Sequence, residues 1–275
     1  GSLGNQGGNS TDSEKAAAEN AKNWDMEKYL VGVVAREMPL TYETEALKAQ
    51  AVIARTNVLA ALQYKEELPE SLSSDGLMRL WEDENTRRDY QRLMEAVKAT
   101  KGISLTSQGK YIYAAFHAVS AGKTRSATEA LGKENMPWLA GTDSPSDVSS
   151  PEYLKVIFME KEELVQKLTV AFSDAAIDGQ NPLSSIVTEA RDSGEYVTQM
   201  KIGEKAVSGE EFRNALGLNS ACFSLKEVEG KVRIVTKGLG HGLGLSQYGA
   251  NELAREGASY QDILSTYFKN IEIGF

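Results

Sequence analysis

The sequence predicts a mixed α+β fold in two lobes, a helix-rich part built from both chain ends and a β-rich insertion, with a cleft between them. Three features carry that expectation. Residues 43–62 form an alanine-rich apolar run of helical character, short strands with glycine turns replace helices from Ile186 onward, and helical periodicity returns after Gln247. The expected organisation is a linker over 1–23, a helical lobe from 24–144 and 236–275, and a β-rich lobe over 145–235.

Element by element, Gly1-Ser2 reads as a cloning scar, and the polar Gly/Ser/Ala-rich stretch behind it as linker, with order beginning near Trp24. Met26–Glu37 places Tyr29, Leu30, Val33 and Val34 on one helical face, and Met38-Pro39 stops the helix. The alanines of 43–62 imply a core helix approached closely on several sides. A third helix is expected over 87–100, closed by Gly102, then a hairpin of strands 103–107 and 110–117 around Gln108-Gly109. Residues 161–172 read as helix. Strands 186–191 and 196–202 flank Asp192-Ser193-Gly194, and strands 221–228 and 231–236 flank Glu229-Gly230. Ser208-Gly209-Glu210-Glu211 is a capping box opening a helix that ends at Gly217. Helices 247–256, stopped by Gly257, and 260–268, capped by Ser259, close the chain.

Composition removes several classes of function. The 275 residues carry 30 basic and 39 acidic side chains, net −9, a poor balance for gripping nucleic acid by its phosphates. No apolar run reaches the roughly 20 residues of a membrane helix. One cysteine, Cys222, excludes an internal disulfide and a thiolate zinc cluster. Two histidines, His117 and His241, exclude a three-imidazole metal site, and no cofactor or metal is expected.

Four places carry chemistry. In Ala35-Arg36-Glu37-Met38-Pro39 a carboxylate sits at the last turn of an apolar helix, against the dipole; burial there raises a carboxyl pKa, which suits a general acid. On the alanine-rich helix, Lys48 and Arg55 share one face and Gln50 and Asn57 another; such polar groups are core hydrogen-bonders or ligand contacts, and spacing alone favours the core. The stretch from Phe116 to Thr124 ends in Gly122-Lys123-Thr124, but the first glycine of a P-loop is replaced by His117, so it is no ATP site. Gly238 to Gly249 alternates glycine with other residues, lacks the spacing of a dinucleotide fingerprint, and presents His241, Ser246, Gln247 and Tyr248.

These blocks resemble the stage II sporulation protein D family. The resemblance rests on Tyr29 to Pro39, Glu45 to Thr56, Phe116 to Thr124, Ser208-Gly209 with Arg213 and Leu216-Gly217-Leu218, and Gly240 to Ala250. It departs at Ala121, where the family pattern has a glycine, and in lacking the cysteines after His117 that carry zinc in some relatives. The resemblance implies a peptidoglycan lytic transglycosylase, which cuts between N-acetylmuramic acid and N-acetylglucosamine without water and leaves 1,6-anhydro ends, on peptide-stripped glycan, during engulfment. It implies Glu37 as the catalytic acid and base. It further implies Lys48, Gln50, Arg55, His117, Ser120, Lys123, Thr124, His241, Ser246, Gln247 and Tyr248 as substrate-binding residues. Substrate carboxyls would meet Lys48, Arg55, Lys123 or Arg125. The expected partners are glycan strands and a cell-wall amidase. The expected location is extracytoplasmic, in the envelope of a spore-forming bacterium, with a membrane anchor outside this sequence. Two other classes stand beside it: a glycan-binding amidase enhancer that does not cut, and a structural envelope protein that does not bind glycan.

Overall fold

A computed structural model of the chain describes residues 25–275; the expected linker, and the onset of order at Trp24, lie outside the described residues. Helix α1, Met26–Glu37, is capped by Asp25, whose carboxylate accepts from the Lys28 N–H. It ends where Met38 turns extended ahead of Pro39. Helix α2, Thr44–Tyr64, is the central post: Ala46, Leu47, Ala49, Ala51, Val52 and Ile53 are all fully buried. Small side chains let α1, α4 and the two closing helices pack closely against it.

The sequence does not foretell α3, Ser74–Glu82, a nine-residue helix with no buried residue. Helix α4, Glu84–Ala99, begins three residues before its expected start because Asp83 caps it. Strands β1, Ser104–Ser107, and β2, Lys110–Tyr111, form the expected hairpin, with Gln108 and Gly109 both at positive φ as its turn demands.

The expected single strand 110–117 is a correction. It breaks after Tyr111 because the Asn57 side chain takes both main-chain groups of Ala114, accepting from its N–H at 2.9 Å and donating to its C=O at 3.0 Å. An amide does there what a partner strand would have done. Chain direction changes, and β3, Phe116–His117, resumes in another sheet.

A short helix α5, Ala127–Leu131, and a 3-10 turn, Pro145–Ser149, lead to β4, Leu154–Met159, and α6, Lys161–Ala171. Strands β5, Ile186–Arg191, β6, Val197–Ile202, and β7, Lys205–Val207, make one antiparallel sheet. Helix α7, Gly209–Leu216, has the expected capping box and Gly217 stop. Strands β8, Phe223–Val228, and β9, Lys231–Lys237, join β4 in the order β4–β9–β8. After β10, Leu245–Ser246, come α8, Gln247–Arg255, α9, Tyr260–Tyr267, and β11, Glu272–Gly274, which pairs with β1.

The buried apolar residues fall into two clusters. One gathers α1, α2, α4, α8, α9 and β1 around Leu47, Leu93 and Leu264. The other gathers α6, α7 and the two three-stranded sheets around Leu164, Val197, Phe212 and Ile234. No described helix is long and apolar enough to cross a membrane.

Candidate active site

The glycine loop and the β3 loop are locked together by main-chain pairing. Strands β3 and β10 run parallel with His117 opposite Ser246. The Val119 and Leu239 main chains exchange two hydrogen bonds, and the Tyr248 N–H donates to the Ala118 carbonyl at 3.0 Å. Two glycines make the approach possible. At Gly240 (φ +112°) a Cβ would lie 2.7 Å from that of His117, and at Gly244 (φ +71°) it would lie 1.9 Å from the Ala115 carbonyl oxygen.

The two imidazoles lie side by side, centroids 5.8 Å apart and planes tilted by 59°. One residue between them, Leu243, sets both tautomers. Its carbonyl lies 3.0 Å from His117 Nδ1, so that nitrogen donates; its N–H donates to His241 Nδ1, also at 3.0 Å, so that nitrogen accepts. His117 Nε2 is left as a buried acceptor without a protein partner among the described residues. Burial and the neighbouring His241 hold the His117 pKa down at about 3, and burial lowers that of His241. Both rings are therefore neutral near pH 7.

Glu37 closes α1 beside this loop. Gln247 Nε2 donates to the Glu37 carbonyl at 2.9 Å and to Gln50 Oε1 at 3.3 Å, joining the end of α1, the face of α2 and the start of α8. The Glu37 side chain is half-buried, and loss of water raises its pKa; Arg36 opposes the shift and Glu70, itself ion-paired to Arg36, adds to it. Of the candidate residues, the structure thus links Glu37, Gln50, Gln247, Tyr248, His117 and His241 through direct or main-chain contacts. Burial also raises the pKa of Tyr42, with Glu152 and Tyr248 close enough to add to it. Sequence reasoning missed Tyr42, although an aromatic residue in the short loop between two motif blocks was a usable signal.

A family model described as SpoIID, stage II sporulation protein, matches residues 14–107. Stage II sporulation protein D of Bacillus amyloliquefaciens is 35% identical over 273 residues, 94% of this chain and 77% of that protein. The Bacillus subtilis strain 168 protein of the same name is 34% identical over the same shares. The chain belongs to the stage II sporulation protein D family.

Another relative, the amidase enhancer of B. subtilis strain 168, is 26% identical over 289 residues, 87% of this chain and 39% of that protein. In the loop after β3, Ala121 does not adopt positive φ, whereas Gly122 does, so the alanine sits there without strain.

Not every expected contact residue faces open space. Arg55 is fully buried and spends its guanidinium on both Glu27 oxygens (2.9 and 2.6 Å) and on the Ile103 and Val97 carbonyls. It closes the α1–α2–α4 packing and, fully buried, presents nothing to a substrate. Lys48 is tied to Glu45 at 2.6 Å. Thr124 is buried against Thr142. Ser120 and Ser246 are fully buried around Asp147: the Ser120 N–H and hydroxyl both donate to Asp147 Oδ2, at 2.8 and 2.5 Å, and Ser246 caps α8. Asp147 was not singled out by sequence reasoning, because nothing near it marks a carboxylate that ties two loops together.

Lys123 is half-buried and pairs through its backbone with Asp143. Arg125, expected to meet substrate carboxyls, is instead sandwiched inside the protein. It donates to Asp192 at 2.6 Å, Glu210 at 3.0 Å and the His241 carbonyl at 3.2 Å, and its guanidinium lies 4.8 Å from the centre of the Tyr196 ring. It thereby ties the His241 loop to the β5–β6 turn and to the start of α7. Among the described residues no three His, Cys, Asp or Glu side chains are grouped to hold a metal.

Proposed function

We propose that this protein is a lytic transglycosylase acting on peptide-stripped glycan strands of peptidoglycan, with Glu37 as the single acid and base. The observation that carries the reading is a half-buried carboxyl at a helix end whose pKa is raised chiefly by loss of water, with Arg36 opposing the shift and Glu70 adding to it. A carboxyl that stays protonated longer than usual donates its proton to the glycosidic oxygen as the bond from that oxygen to muramic C1 breaks. The muramic 6-hydroxyl oxygen then bonds to C1 and gives its proton to the Glu37 carboxylate, which restores the starting state without water. An ordinary glycosidase needs a second carboxylate as nucleophile or base; the substrate's own hydroxyl makes it unnecessary here.

In this reading the partly exposed His241 and Tyr248 position sugar, and the buried Gln50, Gln247 and His117 hold the segments that carry them and Glu37. The glycan runs in a groove between the helical part and the β-rich insertion. The protein works outside the cytoplasm, tethered to the membrane, during engulfment, beside an amidase that removes stem peptides. Similarity to the amidase enhancer supports the link to an amidase and also favours a second reading, a domain that grips glycan without cutting it. Digestion of peptide-free glycan in H₂¹⁸O separates the readings. Transglycosylation yields 1,6-anhydro ends without ¹⁸O, hydrolysis yields reducing ends that carry it, and a binder yields neither.

A further inference from the structure

At the other end of α1 from Glu37 lies a hollow of about 750 Å³ between α1, α3 and α4. Its floor is apolar: Val31, Leu77, Met78, Trp81, Met94 and Val97 line it, with Tyr90 set edge-on to Trp81 at 6.5 Å. One wall is α3, a helix without a single buried residue, whose Met78 and Trp81 are 57% and 43% exposed. A nine-residue amphipathic helix is marginal by itself and gains its stability from whatever covers its apolar face.

The rim is basic. Lys28, Lys98 and Lys101 line it, all exposed and without an ion-pair partner among the described residues. Of the two acids there, Glu27 is neutralised by Arg55, which leaves Asp25 alone. A local excess of positive charge around an apolar floor is notable on a chain of net −9. From Tyr90 to Lys101 the wall formed by α4 and its end runs about 16 Å at 1.5 Å per residue, the length of three turns of a docked helix. The groove is bounded by helices and offers no free strand edge for β-addition.

The geometry points to a docking site for an amphipathic helix of a partner protein, one whose apolar stripe is flanked by Asp and Glu. Anchors spaced i, i+3, i+4 and i+7 enter between Met78, Trp81 and Met94, and the flanking carboxylates meet Lys28, Lys98 and Lys101. The site is independent of the glycan chemistry, and it leaves the Glu37 end of α1 uncovered.

The test uses the full chain and two end-capped, fluorescently labelled helical peptides, identical in their apolar stripe but flanked by Glu in one and Lys in the other. Binding is read by anisotropy at low salt. The Glu peptide is expected to bind at least tenfold tighter than the Lys peptide. Met78→Glu lowers its affinity at least tenfold, and the paired change Lys98→Glu with Lys101→Glu reverses the preference. Both sites are exposed, so unaltered thermal melting of the variants is part of the expected result. Equal binding of the two peptides, or binding of neither, overturns the proposal. So does binding of phosphatidylglycerol vesicles that Met78→Glu abolishes, because that outcome makes the patch a lipid surface.

Discussion

Replacing Arg125 by leucine tests how the His241 loop is held. The guanidinium and Asp192 are 2% and 0% exposed, so leucine strands a buried carboxylate, a change that typically costs about 3–5 kcal/mol. Asp192 keeps two backbone donors, Gly194 and Tyr196, each at 3.0 Å, and Glu210 keeps Arg213 at 3.0 Å. These remaining bonds put the loss at the lower end, about 3 kcal/mol, or about 6–12 °C in melting temperature for a chain of this size. Thermal melting of the wild type, Arg125→Leu, Asp192→Asn and the double variant forms a cycle. Asp192→Asn removes the stranded charge, so the double variant should recover about 1–3 kcal/mol relative to the sum of the single changes. A shift below about 2 °C for Arg125→Leu, or strict additivity, would refute the view that this pair fastens the loop.

Other consequences can be checked on the same protein. Gly244→Ala forces a side chain to positive φ and into the Ala115 carbonyl, so it should cost about 3 kcal/mol or more and lower the soluble yield, measurable by urea unfolding. His117 is neutral in the fold down to about pH 3 but takes up a proton near 6.5 when unfolded. Its contribution to stability is therefore present above pH 6.5 and is lost as pH falls from there toward 3, and His117→Gln should flatten the melting-temperature profile across that window. For the same reason the pH–rate profile should show no limb belonging to His117 between pH 5 and 8; its alkaline limb should follow the raised Glu37 pKa.

Much of the fold was legible because its signals are local. Capping boxes, the Gln108-Gly109 and Glu229-Gly230 turns and the alanine pattern of α2 act within a few residues, and each appears where the sequence places it. The parts that were not legible depend on long-range partners. Asn57 breaks a strand by binding Ala114, 57 residues away, β10 finds β3 across the whole insertion, and β4 presents Leu154, Val156 and Phe158 to solvent, which hides it from a pattern that looks for buried alternation. The site divides in the same way. Motif position singled out Glu37, Gln50, Gln247 and the two histidines. It could not show that Gln50, Gln247 and His117, like Arg55, Ser120, Thr124 and Ser246, are buried among protein groups visible only in three dimensions.

The central claim is that one carboxyl performs both proton transfers. Glu37→Gln keeps size and hydrogen bonding but can neither give nor take that proton. Its carboxyl pKa is raised in the fold, so ionised Glu37 costs stability as pH rises past the ordinary carboxylate range, and the variant should melt at or above the wild-type temperature at pH 7. The measurement is the rate of release of 1,6-anhydro-muramyl products from peptide-free glycan, by mass spectrometry, with binding of the same glycan followed in parallel. The account predicts a loss of about a hundredfold to ten-thousandfold in rate with binding retained. Anhydro products released by the folded Glu37→Gln protein at a near wild-type rate would contradict it.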